Sequence, residues 1–321
     1  MATGHGTSPS RAAPGDGLAA LVLGGGGAFG IVQAAYIQAA YEYGFRPQLV
    51  VGTSVGALNG AWVALHPGDP EGLLHVWLGL NPLRLMDLRP HRLLRRLLRS
   101  PISLCTNEIV PELIMRHLGG SSFEETEIPL GVVATNLSRG EKRLFLEGSL
   151  EQAILASTAI PGVFAPVELD GDLYVDGGVV ASVDLASAVE MGATEILAID
   201  LTPAPARAAP RTAVGVLRQS FGILSSASTT AMEACLARQM PVRVMKPDLS
   251  QVSPWKLDDS AGSIAHNLRL AREALAGVFD TDGHVTASCR LPGIGDATES
   301  AAGPLRFDQY FHRRVKAQTA G

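Results

Sequence analysis

From residue 18 onward the chain alternates short apolar runs with stretches of helical spacing. Residues 19–23 are uniformly apolar over a strand's length and predict a buried strand; a glycine run follows. Residues 28–43 then carry apolar positions at helical spacing up to Gly44, which is placed to end a helix. Residues 48–51 predict a second strand, and residues 52–65 a second turn and helix. Strand, tight turn and helix, twice in succession, predict a parallel sheet covered by helices, an α/β fold.

Further along, residues 73–118 are helical in tendency. Within them, residues 89–99 set Leu93, Leu94, Leu97 and Leu98 among Arg92, Arg95, Arg96 and Arg99, the pattern of a small basic amphipathic helix. That spacing predicts a cap helix packed by its leucines, whose arginines are also available for peripheral contact with an anionic membrane surface. Strand patterns return at residues 128–135 and 143–146, a helix at 150–157, and a strand at 173–175 that runs into Asp176-Gly177-Gly178. A helix at 185–191, a strand at 195–200, a Pro- and Ala-rich loop at 202–212, a helix at 214–239, a strand at 242–245 and a helix at 262–276 complete the pattern. No internal repeat interrupts it.

Composition sets the outer limits. Residues 1–17 are too rich in Gly, Ser, Ala and Pro to bury much apolar surface and predict a disordered tail, so the folded domain is expected over residues 18–284, with 285–321 as a C-terminal extension. A formal net charge of −5 lacks the basic footprint of a nucleic-acid binder and argues against that partner. The three cysteines, Cys105, Cys235 and Cys289, stand in no metal-binding spacing, which predicts free thiols, no metal and a reducing compartment. With no secretory signal pattern and no apolar run of membrane-spanning length, the expected location is the cytoplasm, with peripheral membrane contact through the arginines.

Two glycine-rich turns carry the candidate chemistry. The first, Gly24 to Gly30, sits between strand and helix, where backbone N–H groups and the helix dipole favour an anion. Gly25, Gly27 and Gly30 also satisfy GxGxxG, so a dinucleotide site is a rival reading. That site wants an acidic residue at the end of the second strand, and here the strand runs into Gly52-Thr53-Ser54. Gly52-Thr53-Ser54-Val55-Gly56 is instead GxSxG on a strand-to-helix turn, the setting of a nucleophile elbow, though an ordinary serine N-cap gives the same letters. Only one strand precedes it, so the architecture is not that of the usual α/β-hydrolase.

A serine nucleophile needs a base. His266, His284 or His312 would complete a Ser…Asp…His order, His284 after Asp282-Gly283 being the most tempting, yet none has a distinctive setting. Asp176 differs, because the apolar run Leu173-Tyr174-Val175 delivers it to a strand end, where α/β sheets hold ligands; a plain Asp-Gly-Gly turn is the alternative.

Taken together, the turn Gly24 to Gly30, the elbow Gly52 to Gly56 with Ala57-Leu58-Asn59-Gly60, and Asp176-Gly177-Gly178 resemble the patatin-like phospholipases. The similarity extends through Ala156-Ser157-Thr158-Ala159-Ile160-Pro161-Gly162 and Phe164-Ala165-Pro166-Val167, and loosely to about residue 277. The resemblance implies a three-layer α/β/α fold with a mostly parallel sheet and a Ser/Asp dyad that works without histidine or cofactor. It makes Ser54 the nucleophile, Asp176 the base, and the N–H groups around Gly25, Gly26 and Gly27 the oxyanion donors, each donor worth roughly 10²–10³ in rate.

Two positions depart from the family pattern. Phe29 stands where many members carry Arg or Lys, which puts recognition of a phosphate group in question. Ala181-Ser182-Val183-Asp184 stand where the family often has Asn and Pro. The implied activity is hydrolysis of a carboxylic ester of a lipid through an acyl-Ser54 intermediate. The same residues would serve an acyltransferase, and a catalytically silent module holding a lipid or partner is the reading from a different class.

Overall fold

The structure is a computed structural model that describes residues 17–79, 118, 122–203, 213–249 and 260–286. In chain order the strands are β1 (Ala19–Leu23), β2 (Leu49–Thr53), β3 (Leu130–Asn136), β4 (Glu141–Phe145), β5 (Val167–Leu169), β6 (Asp172–Asp176), β7 (Glu195–Ile199) and β8 (Val242–Met245). The helices are α1 (Gly30–Glu42), α2 (Val55–Leu65), α3 (Pro70–Gly79), α4 (Leu150–Ser157), α5 (Leu185–Glu190), α6 (Ala213–Leu236) and α7 (Ser260–Leu275). One sheet holds every strand in the order β5-β6-β3-β2-β1-β7-β8, with β4 also paired to β3. Its core from β3 to β8 is parallel; β4, β6 and β5 join antiparallel at one edge.

Alternation along the strands explains the layers. Ala19, Leu21 and Leu23 of β1 face one side and pack with Ile31 and Ile37 of α1, Ala57 and Ala61 of α2, Trp77 of α3 and Leu275 of α7. Ala20 and Val22 face the other, with Leu185 and Ala188 of α5 and Leu236 of α6. Helices therefore cover both faces, the three-layer α/β/α arrangement expected. Helix α1 is buried on nearly every side, from Gly30 to Tyr41 except Gln38, because α3 and α7 pack over it while the sheet lies beneath.

The structure departs from the pattern-based expectation at the antiparallel edge. β5 is a three-residue, partly exposed strand with a glutamate at its centre, too short and too polar to stand out in the sequence. It exists because β6 offers it a partner. At the other end, packing continues past residue 284: Val285 is buried, and bridges to Phe279. The basic stretch with Arg92, Arg95, Arg96 and Arg99 lies outside the described residues, as do Cys105, Cys289 and His312; Cys235 is a free, exposed thiol. No described helix is long and apolar enough to cross a membrane.

Candidate active site

Strand β3 brings the two halves of the site together. Along one edge it pairs with β4 over Val132 to Asn136. Along the other it pairs first with β2, ending at Thr53 opposite Val133, and then with the oppositely running β6, ending at Asp176 opposite Ala134. β2 and β6 thus meet end to end on neighbouring residues of β3, and the groups that leave their C-terminal ends are Ser54 and Asp176. The Ser54 hydroxyl donates to Asp176 Oδ2 at 2.6 Å, the short separation of a charge-assisted O–H···O bond.

Ser54 occupies a strained turn, with φ 57° and ψ −125°, a region that a side chain adopts only when its surroundings impose it. Those surroundings are tight backbone contacts. A side chain at Gly56 would strike the Leu23 carbonyl, and one at Gly52 the backbone of Gly56 and Ala57, so both glycines let α2 start directly against the ends of β1 and β2. Ser157, at the end of α4, fixes the turn from the other side: its hydroxyl donates to the Val133 carbonyl at 2.6 Å and accepts from the Ser54 N–H at 2.8 Å. Ser54 is 5% exposed and stands at the N-cap position of α2 with its hydroxyl turned to Asp176 instead of capping the helix, at a helix end whose dipole favours negative charge.

Asp176 is buried, and burial pushes its carboxyl up to about 6, against the lowering effect of the hydrogen bonds from Ser54 and the Gly178 N–H. The Gly178 bond, 2.7 Å to Oδ1, is what the second glycine of the Asp-Gly-Gly turn contributes. Gly177 lies so close to the Val133 carbonyl that a side chain there would collide with it. The Asp176 backbone is tied on both sides, its N–H to the Ala159 carbonyl at 2.9 Å and its carbonyl to the Thr135 hydroxyl at 2.9 Å. A carboxylate held in this way can take the proton of the one hydroxyl that faces it.

The first glycine turn borders the same spot: a Cβ on Gly25 would stand 3.3 Å from Ser54 Cβ. Its amides are not equivalent. Gly24 N–H donates to the Ile199 carbonyl at 3.0 Å and Gly25 N–H to the Ser182 carbonyl at 3.2 Å, while the N–H groups of Gly26 and Gly27 have no acceptor among the described residues. Phe29 is half-buried and packs against the main core.

The histidines lie elsewhere. His284 Nδ1 pairs with Glu195 Oε1 at 3.0 Å. Glu195 opens β7, level with Ala19, whereas Ser54 leaves β2 beyond the level of Leu23. Four residues of strand separate those levels, about 13 Å at 3.3 Å per residue. His266 is exposed on α7. Among the described residues no histidine contacts Ser54 or Asp176.

Residues 21–189, more than half of the chain and from β1 through α5, match the family described as patatin-like phospholipase. The chain belongs to the patatin-like phospholipase family. An uncharacterized NTE family protein of Mycobacterium tuberculosis is 34% identical over 185 residues, 57% of this chain and 48% of that protein. Lysophospholipase nte1 of Aspergillus terreus is 28% identical over 186 residues, 56% of this chain and 12% of that protein. This patatin-like chain therefore spans about half the length of the mycobacterial relative and a small part of the fungal one. Among solved structures, VipD of Legionella pneumophila aligns over 84% of this chain and 67% of its own at 16% identity, with a TM-score of 0.46. Within this family member Ser157 enters the pattern reading only as part of a longer similar stretch and not as a contributor; a serine at the end of a helix gives no sign by itself of the bonds to Ser54 and Val133 that the fold lets it make.

Proposed function

We propose that the chain is a serine acyl hydrolase acting on carboxylic esters of lipids, with Ser54 as nucleophile and Asp176 as base. The observation that carries this reading is the 2.6 Å hydrogen bond from a strained elbow serine to a buried carboxylate. Asp176 Oδ2 takes the Ser54 proton as Oγ adds to the ester carbonyl. The resulting oxyanion accepts hydrogen bonds from the open N–H groups of Gly26 and Gly27, aided by the N-terminus of α2. Gly25 has a different part in this scheme, since its N–H already serves the Ser182 carbonyl. Collapse expels the alcohol, which leaves with the proton from Asp176, and acyl-Ser54 remains. Water, deprotonated by Asp176, then releases the fatty acid and restores the serine.

The family supports a lipid ester as the substrate class. At Phe29 an apolar ring stands where a cation would balance a phosphate, so neutral or short acyl esters should be preferred over phospholipids. A fluorophosphonate probe should label the chain at Ser54, located by peptide mass spectrometry, and kcat/KM for p-nitrophenyl esters should exceed that for a diacyl phospholipid. Absence of labelling and of ester turnover would remove the assignment; a preference for the phospholipid, or no gain in phospholipid turnover in Phe29→Arg, would remove the role given to Phe29.

A further inference from the structure

A chain of buried amides runs from α3 to the glycine turn. Trp77 Nε1 donates to Asn59 Oδ1 at 2.8 Å. Asn59 Nδ2 donates to Gln33 Oε1 at 2.9 Å and to the Gly30 carbonyl at 3.0 Å. Gln33 Nε2 donates to the Gly24 carbonyl at 3.1 Å and to the Ile199 carbonyl at 3.4 Å. Gln33 is fully buried and Asn59 and Trp77 nearly so. Both amide NH₂ groups spend both hydrogens and both amide oxygens have a donor, so each amide has one orientation that satisfies the set; a half-satisfied network at this depth would cost more than an apolar one.

The end of that chain is the peptide between Gly24 and Gly25. Its carbonyl is held by Gln33 and its N–H by the Ser182 carbonyl, so the plane is clamped from both sides. The peptide that follows carries the open Gly26 N–H. Trp77 also explains the last glycine of the motif: a side chain at Gly30 would collide with the indole ring and with Val55, so Gly30 is the seat of Trp77 at the start of α1.

We infer that Gln33, Asn59 and Trp77 are positioning residues for the reaction, a relay that fixes the Gly24–Gly25 peptide and thereby aims the Gly26 and Gly27 amides at the oxyanion. This rests on the hydrolase reading above. None of the three touches the substrate; they act through the turn. Aim matters more to the transition state than to the ground state, because the negative charge exists only after the serine has added. Loss of the relay should therefore lower kcat and leave KM nearly unchanged, and the loss should shrink with distance from the turn: Gln33→Met, then Asn59→Leu, then Trp77→Phe.

The test measures kcat and KM on a p-nitrophenyl ester together with the inhibition constant of an alkyl trifluoromethyl ketone, whose carbonyl adds to a serine hydroxyl to give a tetrahedral oxyanion. For Gln33→Met we expect kcat to fall roughly 10- to 100-fold, the scale of a displaced or lost oxyanion donor. KM should stay within about twofold, and ketone affinity should weaken by the same factor as kcat. For Trp77→Phe, which removes one N–H at the far end, the expected drop in kcat is about fivefold, the worth of about 1 kcal/mol; this variant decides the matter if Gln33→Met fails to fold. Folded variants with wild-type kcat, a rise in KM at constant kcat, or ketone affinity that does not follow kcat would overturn the relay. Wild-type protein with neither turnover nor Ser54 labelling would overturn the hydrolase reading and the relay with it, whereas an active wild type beside unaffected variants overturns the relay alone.

Discussion

The two ends of the sheet each hold a carboxylate paired with a hydroxyl or an imidazole, and the two pairs differ in burial, backbone strain and surroundings. At the C-terminal end Asp176 faces Ser54, both buried, with the serine backbone in a left-handed conformation. At the N-terminal end Glu195 faces His284, accepts the Val285 N–H at 3.0 Å as well, and leaves the histidine side chain 62% exposed on unstrained backbone. The first pair combines strain, desolvation and open amides, the features of a reactive site. The second is a satisfied pair of a buried glutamate and an exposed histidine that ties the segment after α7 to the start of β7. Of the two, only the Ser54–Asp176 pair has both members kept from water.

Breaking the C-terminal pair should have the largest effect. Ser54→Ala and Asp176→Asn should each lower kcat/KM on a p-nitrophenyl ester by at least about 10³-fold, with circular dichroism unchanged, and the double variant should be no worse than the poorer single one, because residues acting as a unit do not add. Full activity in either single variant would dissolve the contrast. Next comes pH: since Asp176 must be ionised to take the proton, kcat/KM should rise about tenfold per unit below an inflection near the value of about 6 set by burial, and level off above it. A flat profile between pH 5 and 7 would separate Asp176 from the rate.

A third test keeps both partners and loosens their frame. Ser157→Ala removes the group that joins the Ser54 N–H to the Val133 carbonyl, and should lower kcat roughly 10-fold or more through misplacement of the serine. Wild-type kcat would make Ser157 a structural residue only. A fourth uses stability. Asp176 has its carboxyl raised from 3.8 to about 6 by folding, so its contribution to stability is full below the unfolded value and is lost as pH rises through about 6. The ionised group therefore costs a few kcal/mol at pH 8, about 1.4 kcal/mol per unit. Asp176→Asn should raise Tm at pH 8 and gain less at pH 4, and a lower Tm at pH 8 would contradict that account.

The smallest effects belong to the other end. His284→Ala should leave kcat/KM within about twofold of wild type, as expected of a residue more than about 13 Å along the strands from the serine. The Glu195 carboxylate raises the His284 pKa, so the pair's stabilisation is present below the ordinary histidine value and is lost as pH rises through the raised one. Exposure keeps that stabilisation small, and the variant should lower Tm slightly at pH 6 and less at pH 9. A collapse of activity in His284→Ala would replace the dyad by a triad.

Much of the frame was legible in the residue pattern because it is local. Residues 150–157 and 242–245 form the helix and strand their spacing predicts, to the residue. The antiparallel edge was less so: β5 offers three residues, and a strand of that length is defined by its neighbour, not by its own pattern. At the site, Ser54 and Asp176 were each visible on their own turns, while Ser157, Gln33 and Asn59 were not singled out, since a polar residue in a helix signals nothing until its surroundings are known.

By itself, the sequence determined the segments: an apolar run that must be a strand, glycines that alone tolerate the contacts of the Ser54 elbow, and an aspartate delivered to a strand end. Those follow from local sterics and from the periodicity of apolar positions. The tertiary structure alone decided which segments share a site. Ser54 and Asp176 are 122 residues apart and meet because β2 and β6 end on adjacent residues of β3. It also decided that the amide of Gly25 is engaged while those of Gly26 and Gly27 are open, that burial raises Asp176 toward neutrality, and that His284 lies at the far end of the sheet. Each of these depends on strand order and on exclusion of water, which are properties of long-range packing and are carried by no single stretch of chain.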